Sequence, residues 1–250
     1  MYKMNTVAVL GAILGGVGPT LLWLWFWLRE DSKHPEPRRL IALAFLAGMI
    51  SVAVVIPIEQ WAASMIHANY YWLVQTFNFT FTADNLVFLA WSAIEELVKF
   101  GLAALAVLRL SADDEPIDPI IYMVVVALGF AAAENTLFLL SPLAGATLPQ
   151  AIITGDYRFV GATLLHVLAS AVIGCSMALA FYKTRAKKIQ YITAGVILSI
   201  GLHGLFNFLI MNTAPEHMIR TFSFVWAGLI ALLAFMEFVK RIPVRRSMIK

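Results

Sequence analysis

Seven stretches of the chain are almost continuously apolar and long enough to cross hydrocarbon as helices: residues 6–28, 39–58, 86–108, 119–141, 159–182, 189–211 and 221–239. Leu, Ala, Val, Ile and Phe fill them without the period-two alternation of a membrane strand. The pattern predicts an all-α fold, a polytopic transmembrane helix bundle of about seven spans. Four of these segments are interrupted by polar groups: Glu95 and Glu96 with Lys99, Glu134 with Asn135, His166 with Ser170, and His203 with Asn207.

Composition fits that picture, with 61% hydrophobic and 13% charged residues in 250, which excludes a soluble globular domain. One integral membrane domain, 1–250, is expected, with a four-helix core at 86–211 flanked by 1–66 and by the spans and basic tail of 221–250. The first segment follows Lys3 but is too long for a cleaved signal and runs through Trp23, Trp25, Phe26 and Trp27, so it reads as a retained span. A single cysteine, Cys175, excludes an internal disulfide framework.

Of the 18 basic residues, 14 fall in the first, third and fifth connections and the C-terminal tail; Lys3, Arg158 and Arg220 lie on the other side, and Lys99 lies within a span. This asymmetry predicts an outside N-terminus and a cytoplasmic C-terminus in the cell membrane. The net charge of +3 follows from basic flanks meeting anionic lipid, and no nucleic-acid partner is expected. The outer connection, 59–85, lacks Lys and Arg and carries Tyr70, Tyr71, Trp72, Phe77, Phe79 and Phe81. It reads as an interfacial aromatic loop, with a substrate gate as the second reading.

An isolated histidine or asparagine in a membrane helix is ordinarily interhelical glue. Here Glu95, Glu96, Lys99 and Glu134 would together cost on the order of 10 kcal/mol if they faced lipid. A polar chamber within the bundle is the better explanation. Counted from the outer ends of their spans, these groups and both histidines lie within roughly 6 to 15 Å of the outer boundary at ~1.5 Å per residue, so they can meet. The i,i+4 spacing puts Glu95 with Lys99, His166 with Ser170 and His203 with Asn207 on common faces, while Glu96 points about 100° away from Glu95.

Adjacent carboxylates in a poorly hydrated pocket resist ionising together, which prepares one to take a proton from water. Lys99 is placed to hold the other ionised. A neutral histidine orients water, and a histidine and asparagine on one face donate to an oxyanion. These parts fit peptide-bond hydrolysis.

At these residues the chain resembles the PrsW family of intramembrane proteases, related to the CAAX prenyl endopeptidases and their bacterial Abi relatives. The motifs are E-E-L-V-K at 95–99, G-F-A-A-A-E-N at 129–135, H-V-L-A-S at 166–170 and H-G-L-F-N at 203–207. The resemblance implies that Glu95 and Glu96 supply essential carboxylates, that Glu134 and His166 join them around a water, and that His203 and Asn207 stabilise the oxyanion, with Lys99, Asn135 and Ser170 supporting. The CAAX relatives carry a histidine where this chain has Glu134-Asn135, and His166 is the expected partner of the catalytic glutamate. The implied substrate is a single-span membrane protein such as an anti-sigma factor, cut near the outer side of the membrane.

No cofactor is expected. The rival is a zinc enzyme with ligands gathered from separate helices, since no H-E-x-x-H spacing occurs. A proton-coupled transporter is the alternative from another class. Gly174-Cys175-Ser176 and Gly155-Asp156 mimic other protease motifs but lie at the wrong depth or in a loop.

Overall fold

The computed structural model describes residues 6–29, 35–78, 80–110, 114–143, 161–212 and 218–243. Gly155-Asp156 lies outside them. Seven helices are present among the described residues: α1 (Thr6–Leu28), α2 (Arg38–Phe77), α3 (Ala83–Ala106), α4 (Asp118–Leu143), α5 (Thr163–Ala180), α6 (Arg185–Asn212) and α7 (Met218–Val239). Six are long and apolar enough to span a membrane. The exception is α3, whose apolar run contains Asp84, Glu95, Glu96 and Lys99. The chain is a multi-pass membrane protein.

The centre of the bundle is α4. Its segment from Ile120 to Leu128 is wholly buried, and being apolar all round it offers no polar face that would keep neighbours off any side. Around it stand α1, α2 and α5. α2 approaches closely at a glycine pair: a Cβ on Gly48 would lie 2.0 Å from the Val126 carbonyl oxygen, and one on Gly129 would lie 2.0 Å from that of Phe45. Backbones this close are a common membrane packing device. The contact fixes the rotation of α4, and so the direction of Glu134, five residues on.

α2 departs from the sequence expectation. The segment 59–85 is not a loop along its whole length, because α2 continues to Phe77 over 40 residues. At ~1.5 Å per residue it is about 60 Å long, roughly twice the hydrocarbon thickness. Pro57 lies inside the helix and does not end it; the chain leaves it at Asn78, whose left-handed φ of 47° lets its N–H reach the Val74 carbonyl. Aromatic residues remain exposed, Tyr71, Trp72, Phe77 and Phe81 among them, and the Tyr70 hydroxyl donates to the Phe81 carbonyl at 2.9 Å. Thr82 then caps α3, accepting from the Asn85 N–H at 3.2 Å.

Candidate active site

α3 delivers two adjacent carboxylates with opposite fates. Glu96 is fully buried and saturated. Its Oε1 accepts from Lys99 Nζ at 2.5 Å and His203 Nδ1 at 2.9 Å, and its Oε2 from Ser170 Oγ at 2.8 Å and Ser199 Oγ at 3.1 Å. Four donors from α3, α5 and α6 thus hold one anion, which compensates its removal from water.

Glu95 is engaged differently. Its Oε2 is buried, yet Lys99 Nζ, His166 Nδ1 and His203 Nε2 stand 3.6, 3.7 and 3.8 Å away, none within hydrogen-bond reach. The oxygen therefore faces a ring of basic groups without being tied to any of them.

The hydrogen-bond network assigns the histidine tautomers. Lys99 has only protons to give, so it donates to His166 Nδ1 at 3.2 Å, and the ring's Nε2–H donates to Glu134 Oε2 at 3.0 Å. With Glu96 accepting at Nδ1, His203 directs Nε2 toward Glu95. Phe130 lies beneath this array, its ring centroid 4.3 Å from Lys99 Nζ and 4.9 Å from that of His166. The side chains of Glu96, Glu95 and Glu134 are 0%, 9% and 31% exposed. The site thus has a closed floor at Glu96 and a mouth at Glu134.

Glu95, Glu96, Lys99, Glu134, His166, Ser170 and His203 converge in one cluster. Asn135 and Asn207 flank it. Asn135 Nδ2 donates to Thr163 Oγ1 at 2.9 Å, tying α4 to α5, and Asn207 Nδ2 donates to Ser92 Oγ at 3.1 Å, tying α6 to α3. Two further site residues escaped sequence reading. Ser199 lies one turn before His203 on the same face, a signal that was legible. Glu59, on α2, is the other: the Trp91 indole Nε1, one turn before Glu95, donates to its backbone carbonyl at 3.1 Å, and no motif pointed to it. Ser176 has no part in the site: its hydroxyl is spent on the Val172 carbonyl at 2.9 Å.

A family model described as "PrsW family intramembrane metalloprotease" matches residues 36–237. The chain belongs to the PrsW family of intramembrane proteases. Among relatives named Protease PrsW, that of Geobacillus kaustophilus (strain HTA426) is 26% identical over 206 residues, covering 80% of this chain and 79% of the relative. The Clostridioides difficile (strain 630) protein is 27% identical over 191 residues, 74% of each chain, and the Bacillus subtilis (strain 168) protein is 22% identical over 219 residues, 86% of this chain and 90% of the relative. No solved structure matches the chain significantly.

The family description raises the question of a metal. Glu95, Glu96, His166 and His203 each offer a ligand atom, all within 4.8 Å of one another, so by proximity the set could hold an ion. As arranged, the donors do not fit one. The Lys99 ammonium already bonds Glu96 Oε1 and His166 Nδ1 and faces Glu95 Oε2, and two serines take the other Glu96 oxygen. A divalent ion would have to displace a fixed positive charge from the same ligands.

Proposed function

We propose that this intramembrane protease hydrolyses a peptide bond of a single-span membrane protein near the outer side of the bilayer, with Glu95 as the general base. The contrast between the two adjacent glutamates carries the reading: Glu96 is bonded by four donors, whereas Glu95 Oε2 is unclaimed by the basic groups around it. A carboxylate saturated with donors is a poor base, and one held dry beside them is ready to accept a proton.

In this mechanism a water beside Glu95 loses a proton to the carboxylate as its oxygen bonds to the scissile carbonyl carbon. Glu134, held by the His166 Nε2–H, orients that water from the mouth of the site. His203, its Nδ1 held by Glu96, and Asn207 donate to the oxyanion, with the imidazole protonated to present an Nε2–H. The carbon–nitrogen bond then breaks, and the Glu95 carboxyl returns its proton to the leaving amine. Glu96 and Lys99 hold the frame. An anti-sigma factor is the proposed substrate type, and the outer location rests on the basic-residue asymmetry and on the depth of the motifs.

Purified protein incubated with single-span substrates tests the reading. Wild type is expected to cut, Glu95→Gln to lose cutting by roughly 100-fold or more, and a chelator to leave cutting intact. Undiminished cutting by Glu95→Gln would refute the assignment. Loss with chelator alone would establish the second reading, a metal held by the clustered ligands, and solute flux without cutting would establish a carrier.

A further inference from the structure

Ser92 and Asn207 form the outer of two rungs between α3 and α6. On the inner rung Glu96 accepts from His203 Nδ1 at 2.9 Å; four residues back along α3 and four onward along α6, Asn207 Nδ2 donates to Ser92 Oγ at 3.1 Å. The helices run antiparallel in a single register, so the two rungs stack one turn apart. Gly204 lies between them on α6 and faces Ser92: a Cβ there would stand 3.8 Å from the Ser92 hydroxyl oxygen and 3.1 Å from the Leu89 side chain. Having no side chain at this point lets α6 lie close enough to α3 for the outer rung to close.

Ser92 is wholly buried, and its one proton has a destination. Its Oγ donates to the Phe88 carbonyl, four residues earlier, at 2.8 Å, the back-bond that serine commonly makes within a helix. A hydroxyl that has given its proton can only accept. Asn207 must therefore face it with the amide nitrogen, because the amide turned over would set Oδ1 against an oxygen with no proton to give. Among the described residues this is the only hydrogen bond of the Asn207 side chain, so Ser92 alone holds that amide against rotation. The amide nitrogen carries two protons; one goes to Ser92, and the other is left for a ligand that half-buried Asn207 can reach.

We infer that Ser92 is a positioning residue of the oxyanion site: by accepting one N–H of Asn207 it fixes the amide so that the second N–H is presented to the oxyanion, a role that rests on the function proposed for Asn207. Ser92 touches no reacting atom. It works through Asn207 alone, so removing it should cost nothing once Asn207 is gone.

The full-length protein in detergent, assayed on a single-span substrate, supports a double-mutant cycle on this pair. Asn207→Ala should lower kcat by about 100-fold, the usual cost of one oxyanion donor. Ser92→Ala should lower it by about 10-fold with KM changed little, the signature of a misplaced group rather than a lost binding contact. Added to Asn207→Ala, Ser92→Ala should lower kcat no further, whereas a serine that merely packs the helices would weaken cutting in both backgrounds alike. A second arm is independent of catalysis: the Tm shifts of the two single variants should fail to add in the double variant. Ser92→Ala at wild-type kcat, losses that multiply in the double variant, or additive Tm shifts would each overturn the inference. Asn207→Ala cutting at the wild-type rate while the Tm shifts still fail to add would sink the oxyanion role itself, and Ser92 would keep its contact and lose its function.

Discussion

The Lys99 ammonium lies 2.5 Å from Glu96 Oε1, and neither side chain is exposed. Two unit charges out of water survive because each is held by further groups, Glu96 by three more donors and Lys99 by His166 and the Phe130 ring. Removing one member leaves the other uncompensated, at a cost of about 3 to 5 kcal/mol. Lys99→Met is therefore expected to lower the Tm in detergent sharply. Lys99→Met combined with Glu96→Gln should recover part of the loss, because no lone charge remains. Equal stability of wild type and Lys99→Met would show that the pair is not buried as described.

The same lysine governs metal binding. Wild-type protein incubated with Co²⁺ and desalted should retain little, because the ammonium stands among the candidate ligands. Lys99→Met frees Glu95, Glu96, His166 and His203, which lie close enough to share an ion, and should gain Co²⁺ absorption bands and bound metal by elemental analysis. Stoichiometric cobalt in the wild type would show that Lys99 yields its place.

Packing of α2 against α4 depends on having no side chain at Gly129. Its Cβ would meet the Phe45 carbonyl oxygen at 2.0 Å, and backbone gives way far less readily than a flexible side chain. Gly129→Leu should force the helices apart at a cost of at least about 1 to 3 kcal/mol. Because Glu134 and Glu59 lie on those two helices, activity should fall with stability. By contrast, a Cβ at Gly101 meets nothing within 4 Å, so Gly101→Ala is the control expected to leave Tm unchanged or slightly raised. Unfolding curves of the two variants make the comparison.

Glu36, in the connection before α2, predicts a pH response remote from the active site. Burial pushes its carboxyl above the ordinary range, aided by the neighbouring Asp114 and Glu115 charges, while hydrogen bonds from Tyr122 and Asp118 oppose the shift. A folded-state value above the unfolded one means that the fold binds this proton more tightly. Its contribution is complete below the unfolded value of 4.5 and fades as pH rises through the folded value. The Tm of the detergent-solubilised protein should fall as pH climbs from about 4.5, and Glu36→Gln should flatten that slope. An unchanged slope in Glu36→Gln would assign the response to other groups.

Much of this protein was written locally. Hydropathy over about 20 residues identifies a span whatever its neighbours, and i,i+4 spacing alone puts Lys99 with Glu95, and Ser170 with His166, on common helix faces. Convergence of Glu95, Glu96, Glu134, His166 and His203 followed from the expense of charges facing lipid. The extent of α2 was less legible, because the aromatic residues that mark a membrane interface say nothing of whether its backbone is helical.

What the chain's one-dimensional pattern left open was which adjacent glutamate does which work. That depends on helix rotation and register, set by contacts between residues far apart in sequence: Gly48 on α2 against α4, Trp91 on the Glu59 carbonyl, Ser199 and Ser170 on Glu96. A turn of about 100° separates Glu95 from Glu96 on their helix, and only the packed bundle decided that Glu96 meets four donors while Glu95 Oε2 faces basic groups it does not bond. The residue types fixed the chemistry available, and tertiary packing distributed it, because hydrogen-bond partners are chosen by proximity in space.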